Sequence, residues 1–286
     1  MVPLAVTPDS FGNILLLLFH FCLATVIMIV NLSVFLAIVL TKSFRKENRF
    51  IYMMSTCVSD FCTGASYYYV GLFDVKDDHP RKNDTKFIAS NFLGLSYLSI
   101  LAAQADRCHA VISPIHYPQR MSPRKTLLVI GTLWLYSFVF LASQNLTTSA
   151  NALKIQATGI IIWNLITFCI MIGLNIKLYL VAKYQLEREP ATPEREAKQS
   201  SLYLIIAVAA SFILVWSPIF LRINICNFTP LKCYVTNNLA TDPLAILPRI
   251  NTAVTPILYI RGCTPLREML RSKIWRCTSI CNRSRR

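Results

Sequence analysis

Charged residues and glycine are both scarce in this chain. Only 15% of its 286 residues are charged and only 8 are glycine, whereas a soluble protein of this length carries about a quarter charged residues. Acids are the scarcer sign, with 14 against 29 bases. Apolar side chains make up 54% of the sequence, and the mean hydropathy is +0.47. This composition is typical of a membrane protein.

Seven apolar runs follow one another along the chain. A membrane-spanning helix needs about 20 mostly apolar residues, and the seventh run is the weakest because it contains Asp242, Arg249 and three prolines. We predict an all-α membrane protein, a bundle of seven transmembrane helices. The runs cover residues 14–40, 50–73, 87–105, 126–143, 157–182, 202–221 and 239–260.

The basic residues lie mainly on one side of the predicted bundle. Of 29 lysines and arginines, 21 fall in the segments that share a side with the C-terminus. Basic loops favour the cytoplasm, so we expect the N-terminus outside and the C-terminus inside the plasma membrane. The predicted parts are a short extracellular N-terminus (1–13), the bundle of seven transmembrane helices (14–260) and a cytoplasmic eighth helix with a basic tail (261–286). Basic residues beside the anionic lipid of the bilayer explain the net charge of +15. We therefore expect no nucleic acid partner.

The segment 185–200, QLEREPATPEREAKQS, alternates acids and bases and contains two prolines. We interpret it as a solvated loop between the fifth and sixth runs. A role in docking a partner is the alternative.

Several polar residues lie within the apolar runs. Ionisable groups inside a membrane are costly and need a reason. Asp60 lies near the middle of the second run, Asn31 in the first and Ser96 in the third, while Asn251 and Thr252 lie in the seventh. If these side chains face the interior, they form one polar cluster that holds a proton, a sodium ion or water. The alternative is a purely structural hydrogen-bonded cluster.

The sixth run contains an aromatic pair beside a proline. Phe212 and Trp216 are four residues apart and share a helix face, and Pro218 removes a backbone hydrogen bond next to them. In the seventh run, Pro256 is followed three residues later by Tyr259. We interpret both prolines as hinge points.

Together these motifs resemble the rhodopsin-like G-protein-coupled receptors. Asp106-Arg107-Cys108 resembles the family's Asp-Arg-Tyr signature at the end of the third span, and AVISPIHY resembles the loop after it. Trp134 and Asp60 match the tryptophan of the fourth span and the acid of the second, and FILVWSP resembles Phe-x-x-x-Trp-x-Pro of the sixth. TPILY is similar to Asn-Pro-x-x-Tyr, and RGCTPLREML resembles the short amphipathic eighth helix.

The resemblance implies a mechanism. Arg107 would pair with Asp106 at rest and turn to a heterotrimeric G protein on activation, when Tyr259 would help to hold the active state. Phe212, Trp216 and Pro218 would transmit ligand binding to the sixth span. A pocket for a sodium ion, with no other cofactor, would use the polar residues that match the family: Asp60, Ser96, Asn251 and Thr255.

Three departures concern the signature residues. Cys108 replaces tyrosine, and Thr255 replaces the asparagine that would bond Asp60. Lys198 occupies the position where the family often has an acid that latches the arginine. We therefore expect raised basal signalling.

A fourth departure is extracellular. The position of the family's span-three cysteine is Lys82, and residues 144–156 contain no cysteine either. We expect Cys226 and Cys233, which flank a short outer loop, to pair with each other. Two free cysteines are the alternative.

The ligand is only loosely constrained. Ala89 occupies the position where amine receptors carry an acid, which argues against a biogenic amine. Arg222 and Arg249 are candidates to receive an anionic group of an extracellular or membrane-borne ligand. The alternative for Arg249 is a pairing with Asp242 or a backbone carbonyl.

The remaining sites are modification sites. Asn83 begins an outer glycosylation sequon. Cys277 and Cys281 lie among basic residues after the eighth helix and suggest palmitoylation, with exposed free cysteines as the alternative. The four histidines show no ligand spacing, so we expect no metal site of that kind and no enzyme activity.

Three other functions compete with a non-olfactory receptor of this kind. A transporter would show internal repeats or paired broken helices, and the sequence has neither. The loop after Arg107 faintly resembles odorant receptors, although Trp216-Ser217-Pro218 does not. A receptor-like scaffold that no longer signals is the third alternative.

Overall fold

The computed structural model describes residues 6–72, 88–146, 150–185, 190, 192–228 and 241–275. Within them the chain is almost entirely helical and forms no strand, and seven long helices correspond to the seven predicted runs. The long helices are α1 (Phe11–Leu40), α2 (Asn48–Leu72), α3 (Ile88–Ile112), α5 (Pro123–Leu146), α6 (Ala150–Leu180), α7 (Pro193–Phe228) and α8 (Pro243–Gly262), and the short ones are α4 (Tyr117–Arg120) and α9 (Thr264–Met269).

Five of these helices are long and apolar enough to cross a membrane by themselves: α1, α3, α5 and the segments Ile161–Tyr184 and Arg195–Arg222 of α6 and α7. Over their described residues, α2 and α8 do not meet the same criteria of length and composition. Both carry buried polar side chains, such as Asp60 and Asn251, and helices of this kind need neighbours in the bundle to cover their polar faces.

The sixth predicted span begins earlier than its apolar run. The structure places residues 193–200 in the first turns of α7, so the prediction of a loop over 185–200 is wrong for that half. Proline lacks an amide hydrogen and suits the first turn of a helix, which explains the start at Pro193. The Arg195 amide donates to the Thr192 hydroxyl at 3.2 Å, which caps this end.

The outer surface of the bundle is apolar, and several polar side chains are buried among the apolar ones inside. Leu128 and Leu214 are 70% and 72% exposed, whereas Asp60 is fully buried. An apolar outer surface is expected for a protein surrounded by lipid. The chain after α8 also behaves as predicted, because Leu266 and Leu270 are buried while Lys273 is exposed, which confirms a short amphipathic eighth helix.

Gly64 allows α1 and α2 to pack closely, because it has no Cβ atom. A Cβ atom at this position would lie 2.7 Å from Ile27 Cγ2, so the helices would have to separate. We expect Gly64→Ala to destabilise the protein by about 1–3 kcal/mol, the usual cost of overpacking. The matched control is Gly131→Ala, where a Cβ would have no neighbour within 4 Å. Equal melting temperatures for the two purified variants would contradict this packing.

Candidate functional site

The acid and the arginine at the end of α3 form an ion pair. Arg107 Nη2 lies 2.6 Å from Asp106 Oδ2, and Arg107 Nε donates to the same oxygen at 3.2 Å. The Asp106 side chain is 1% exposed and that of Arg107 is 20% exposed. A buried carboxylate needs a charged or hydrogen-bonding partner. The pair therefore holds the arginine against its own helix.

Tyr117 of α4 completes this site. Its hydroxyl is 2.9 and 3.0 Å from the two oxygens of Asp106 and donates to that carboxylate. It accepts hydrogen bonds from Asn48 Nδ2 at 2.8 Å and from Arg107 Nη2 at 3.2 Å. A phenol has one hydrogen to donate and two lone pairs that accept. The Tyr117 hydroxyl therefore uses its full hydrogen-bonding capacity within this site. We call Asn48, Asp106, Arg107 and Tyr117 the arginine cluster.

The electrostatics of the arginine cluster favour this arrangement. Burial raises the pKa of the Tyr117 phenol, and although Arg107 and Asn48 act in the opposite direction, the Asp106 carboxylate adds to the rise. The hydroxyl therefore keeps its proton at neutral pH and remains a donor to Asp106. The His109 ring packs edge-on against the Tyr117 ring, with centroids 5.5 Å apart. The loop after α3 is thus tied both to α3 and to the first residue of α2.

The arginine cluster borders an open cleft of about 500 Å³. The cleft lies at the end of the bundle where α3 ends and α2, α5 and α7 begin, which we call the Arg107 end. Lys198 of α7 lines it together with Arg107. A smaller void of about 20 Å³ is lined by both Arg107 and Tyr259. The structure therefore brings Tyr259, Arg107 and the latch position to one end of the bundle.

The four residues predicted to form the sodium pocket are all buried inside the bundle. Neither carboxylate oxygen of Asp60 has a close hydrogen bond among the described residues, and the Ser96 hydroxyl of α3 is the neighbouring donor that acts on the carboxylate. On α8, Thr255 donates to the Asn251 carbonyl at 3.1 Å, and the Asn251 Oδ1 accepts a long bond of 3.5 Å from Ser211. The pocket thus contains a buried carboxylate whose oxygens can still accept ligands.

Asn31 adds a second buried acceptor in the interior. Its Nδ2 donates to the backbone carbonyls of Thr252 and Ile27 at 3.0 and 2.9 Å, which ties α1 to α8. Its Oδ1 is buried and has no hydrogen bond within the described part of the chain.

An aromatic column runs through the bundle on the predicted transmission residues. Phe212 stacks between Tyr97 of α3 and Trp216, with centroids 5.0 Å away on each side. Trp216 continues to Phe220 at 5.4 Å, and Phe220 meets Phe168 of α6 at 5.0 Å. Pro218, inside α7, lies between the last two α7 rings in sequence. Aromatic contacts therefore connect three helices across the proline.

The two candidate ligand arginines lie in different surroundings. Arg222, at the end of the bundle opposite Arg107, pairs with Asp242 at 2.6 Å, and the Asp242 carboxylate also caps α8 by accepting from the Leu244 amide at 3.0 Å. Arg249 is 3% exposed and lies over the Tyr67 ring, 4.5 Å from its centroid. Asp242 thus forms a close ion pair with Arg222, and Arg249 stacks on an aromatic ring. The alternative pairing of Arg249 stays a prediction.

Several predicted sites lie outside what the structure describes. Cys226 is in α7, but its side chain is outside the described part, and so are the whole residues Asn83, Cys233, Cys277 and Cys281. The disulfide, glycosylation and palmitoylation predictions stay predictions. Within the described ranges no three His, Cys, Asp or Glu side chains form a metal-binding group.

Sequence reasoning missed several members of these sites. Asn48 gave no signal, because it lies between charged residues at the start of α2 and nothing in its spacing marks it. Phe220 could have been found from its spacing, four residues after Trp216 on the same helix, whereas Tyr97 of α3 gave no such signal. Trp134, noted only as a family match, donates to the Ser55 hydroxyl at 3.1 Å and so fastens α5 to α2.

The structure is a bundle of seven long helices with an Asp-Arg pair at one end, and its architecture is that of a helical membrane protein. The family model described as 7 transmembrane receptor (rhodopsin family) matches residues 30–259. The chain therefore belongs to the rhodopsin family of seven-transmembrane receptors, which are signalling receptors and not enzymes. It is a multi-pass membrane protein. No curated protein matches the chain.

Proposed function

We propose that the chain is a G-protein-coupled receptor of the plasma membrane, with the Arg107 end in the cytoplasm. The orientation rests on the 21 of 29 basic residues predicted on that side. The observation that carries the proposal is the arginine cluster, in which a charged side chain is held beside an open cleft by bonds that can be released. An arginine in such a position can exchange its internal partners for those of a partner protein.

The mechanism follows from what holds Arg107. At rest its guanidinium bonds to Asp106 and to the Tyr117 hydroxyl. When the start of α7 moves away from α3, the cleft widens and Arg107 can extend into it to meet the terminal helix of a G protein. Tyr259, which shares the small void with Arg107, would fill the space that the arginine leaves. A ligand favours this state only by binding it more tightly than the resting state.

Lys198 removes one restraint on that movement. An acid at this position on α7 would attract Arg107 across the cleft, whereas lysine repels it. The remaining restraint is therefore the arginine cluster itself. We expect basal signalling above that of cells without the receptor.

The polar pocket would hold a sodium ion. Sodium binds oxygen ligands, and the buried oxygens of Asp60 make no close hydrogen bond among the described residues. Ser96 faces the carboxylate, while Asn251 and Thr255 lie on the adjoining helix. A bound cation would neutralise the buried carboxylate, which is otherwise costly inside the membrane. This would favour the resting state.

The ligand would act at the end of the bundle opposite Arg107 and reach α7 through the aromatic column. A biogenic amine is not expected because of Ala89. Arg249 and Arg222 are the candidates for an anionic group. Once a ligand is known, an unchanged response of Arg249→Glu would exclude this role.

The direct test is recruitment of each of the four G-protein classes in cells that express the chain, against mock-transfected cells. We expect one class to be recruited without added ligand. No recruitment by any class, at normal surface expression, would support a non-signalling scaffold instead.

Tyr117→Phe removes only the hydroxyl of Tyr117 and so tests its contribution to the arginine cluster. We expect basal recruitment to rise about threefold or more, because the resting state alone loses a hydrogen bond to a charged group, worth about 1.5 kcal/mol or more. The matched control is Tyr136→Phe on α5, which is 46% exposed on the outer surface. If both variants give the basal signal of the unchanged chain, the hydroxyl does not restrain Arg107.

A further inference from the structure

Gly262, the last residue of α8, marks a close approach between α8 and α7. A Cβ atom at this position would lie 2.5 Å from Leu204 Cδ1, 3.2 Å from its Cγ and 3.3 Å from its Cβ. Carbon atoms that are not bonded to each other pack best at about 3.5–4.0 Å. Gly262 has a helical backbone, which alanine also adopts. The position therefore excludes a side chain because of the space that Leu204 fills, and not because of its backbone.

Leu204 of α7 lies close to the residues that act in coupling. It is 7% exposed and belongs to the apolar cluster that contains Tyr259 and Cys263. It also lines the small void of about 20 Å³ that Arg107 and Tyr259 share. Leu204 therefore has the end of α8 on one side and the void beside Arg107 on another. We call its approach to the last residue of α8 the Leu204–Gly262 contact.

The Leu204–Gly262 contact constrains the backbone of α7 and not only one side chain. A change of rotamer would move Leu204 Cδ1 away from an atom added at position 262. Leu204 Cβ, however, is bonded to the backbone, so its distance of 3.3 Å can be lengthened only if α7 and α8 separate. The same part of α7 supplies Ser201 to the lining of the open cleft. A separation at this contact is therefore a displacement of α7 at the Arg107 end.

We propose that Leu204 and Gly262 are positioning residues for G-protein coupling. Leu204, packed against Gly262, holds α7 in its resting position beside Arg107 and loses this contact when α7 moves away from α3. This role adds to the restraint from the arginine cluster, and neither residue touches the G protein. The inference rests on the proposed function for its effect on coupling, whereas the contact itself rests on the distances. A change that weakens the contact destabilises only the resting state, so the equilibrium shifts to the coupling state.

Nucleotide exchange on purified heterotrimers measures this effect, with the purified full chain in phosphatidylcholine nanodiscs. We expect Gly262→Ala to raise basal exchange by about threefold or more, because its methyl group occupies space that Leu204 fills in the resting state alone. The matched control is Gly173→Ala on α6, where a Cβ would have no neighbour within 4 Å. This control should exchange nucleotide as the unchanged chain does.

Leu204→Ala tests whether the effect depends on the fit between the two residues. It removes Cδ1 and Cγ, the two atoms closest to the added methyl group, and leaves only Cβ. Alone it should also raise basal exchange, since the resting state loses the contact. Gly262→Ala in this background should give no further rise, because residues in contact are not additive. In the background of Leu214→Ala, a residue that is 72% exposed on α7, Gly262→Ala should keep its full effect.

Melting temperatures of the same variants test the contact without any G protein. Gly262→Ala should lower the melting temperature of the unchanged chain more than that of Leu204→Ala. Equal losses in the two backgrounds would show that the residues do not touch and would overturn the proposal.

The exchange rates then decide the positioning role. If the unchanged chain accelerates exchange and neither Gly262→Ala nor Leu204→Ala is faster, this role is overturned. If Gly262→Ala does not fold, the comparison of Leu204→Ala with Leu214→Ala decides in its place, and equal rates overturn the role. If no form accelerates exchange although the losses of melting temperature are unequal, the proposed receptor function fails and the positioning role fails with it, while the Leu204–Gly262 contact stands as packing.

Discussion

Arg107→Ala is expected to lower G-protein recruitment by about tenfold or more, because the charge-assisted bonds of this side chain to the partner are each worth about 1.5–3 kcal/mol. The variant also removes the partner of the buried Asp106 carboxylate, which retains only the Tyr117 hydroxyl from the arginine cluster. Recruitment is measured by energy transfer between tagged receptor and G protein, normalised to surface expression.

The control for this loss is Arg124→Ala. Arg124 is an exposed base in the first turn of α5 and does not line the cleft. It should recruit as the unchanged chain does. If Arg107→Ala recruits as well as Arg124→Ala at equal surface level, the arginine is not the coupling residue and the arginine cluster has only a structural role.

Phe212→Ala should produce the largest loss of stability. Phe212 is 1% exposed and stacked on both faces, by Tyr97 and by Trp216. Its removal leaves a cavity between α3 and α7, and Phe→Ala changes in cores cost about 3–5 kcal/mol. The melting temperature of the purified protein should fall sharply. Phe212→Leu, which keeps most of the apolar volume, should recover most of that stability.

Phe212→Leu also separates packing from signalling. It lacks the ring that connects Tyr97 to Trp216, so ligand-driven or basal coupling should fall although the protein remains folded. Phe138→Leu on α5 is the control, since that ring is 42% exposed and lies outside the column. Full coupling by Phe212→Leu would show that the stacked rings do not transmit the movement of α7.

The sequence predicts the fold of this protein well because the membrane imposes a simple rule. A span must be helical and about 20 residues long, so apolar runs locate the helices directly. The errors occur where helices leave the apolar region. The beginning of α7 at Pro193 and the last turns of α3 after Ala105 are both polar, and helix propensity and capping decide them instead of hydropathy.

The candidate site is predictable only in part, for the same reason. Asp106, Arg107 and Asp60 stand out because charge within or beside an apolar run is costly. Asn48 and Tyr97 do not, because a polar residue in a loop or an aromatic residue in a span is common. The roles of Asn48 and Tyr97 depend on which helices pack against each other, and this is not visible in the sequence. The pairing of Arg222 with Asp242 likewise depends on how the ends of α7 and α8 approach each other.

The central claim is that the arginine cluster restrains a residue that activates G proteins. The most direct measurement is GDP–GTP exchange on purified heterotrimers by the purified chain in neutral nanodiscs, comparing the unchanged chain with Tyr117→Phe and Arg107→Ala. The account predicts acceleration of exchange by the unchanged chain, faster exchange by Tyr117→Phe and none by Arg107→Ala. Folded protein that accelerates exchange on no class of heterotrimer, or equal rates for all three forms, would contradict it.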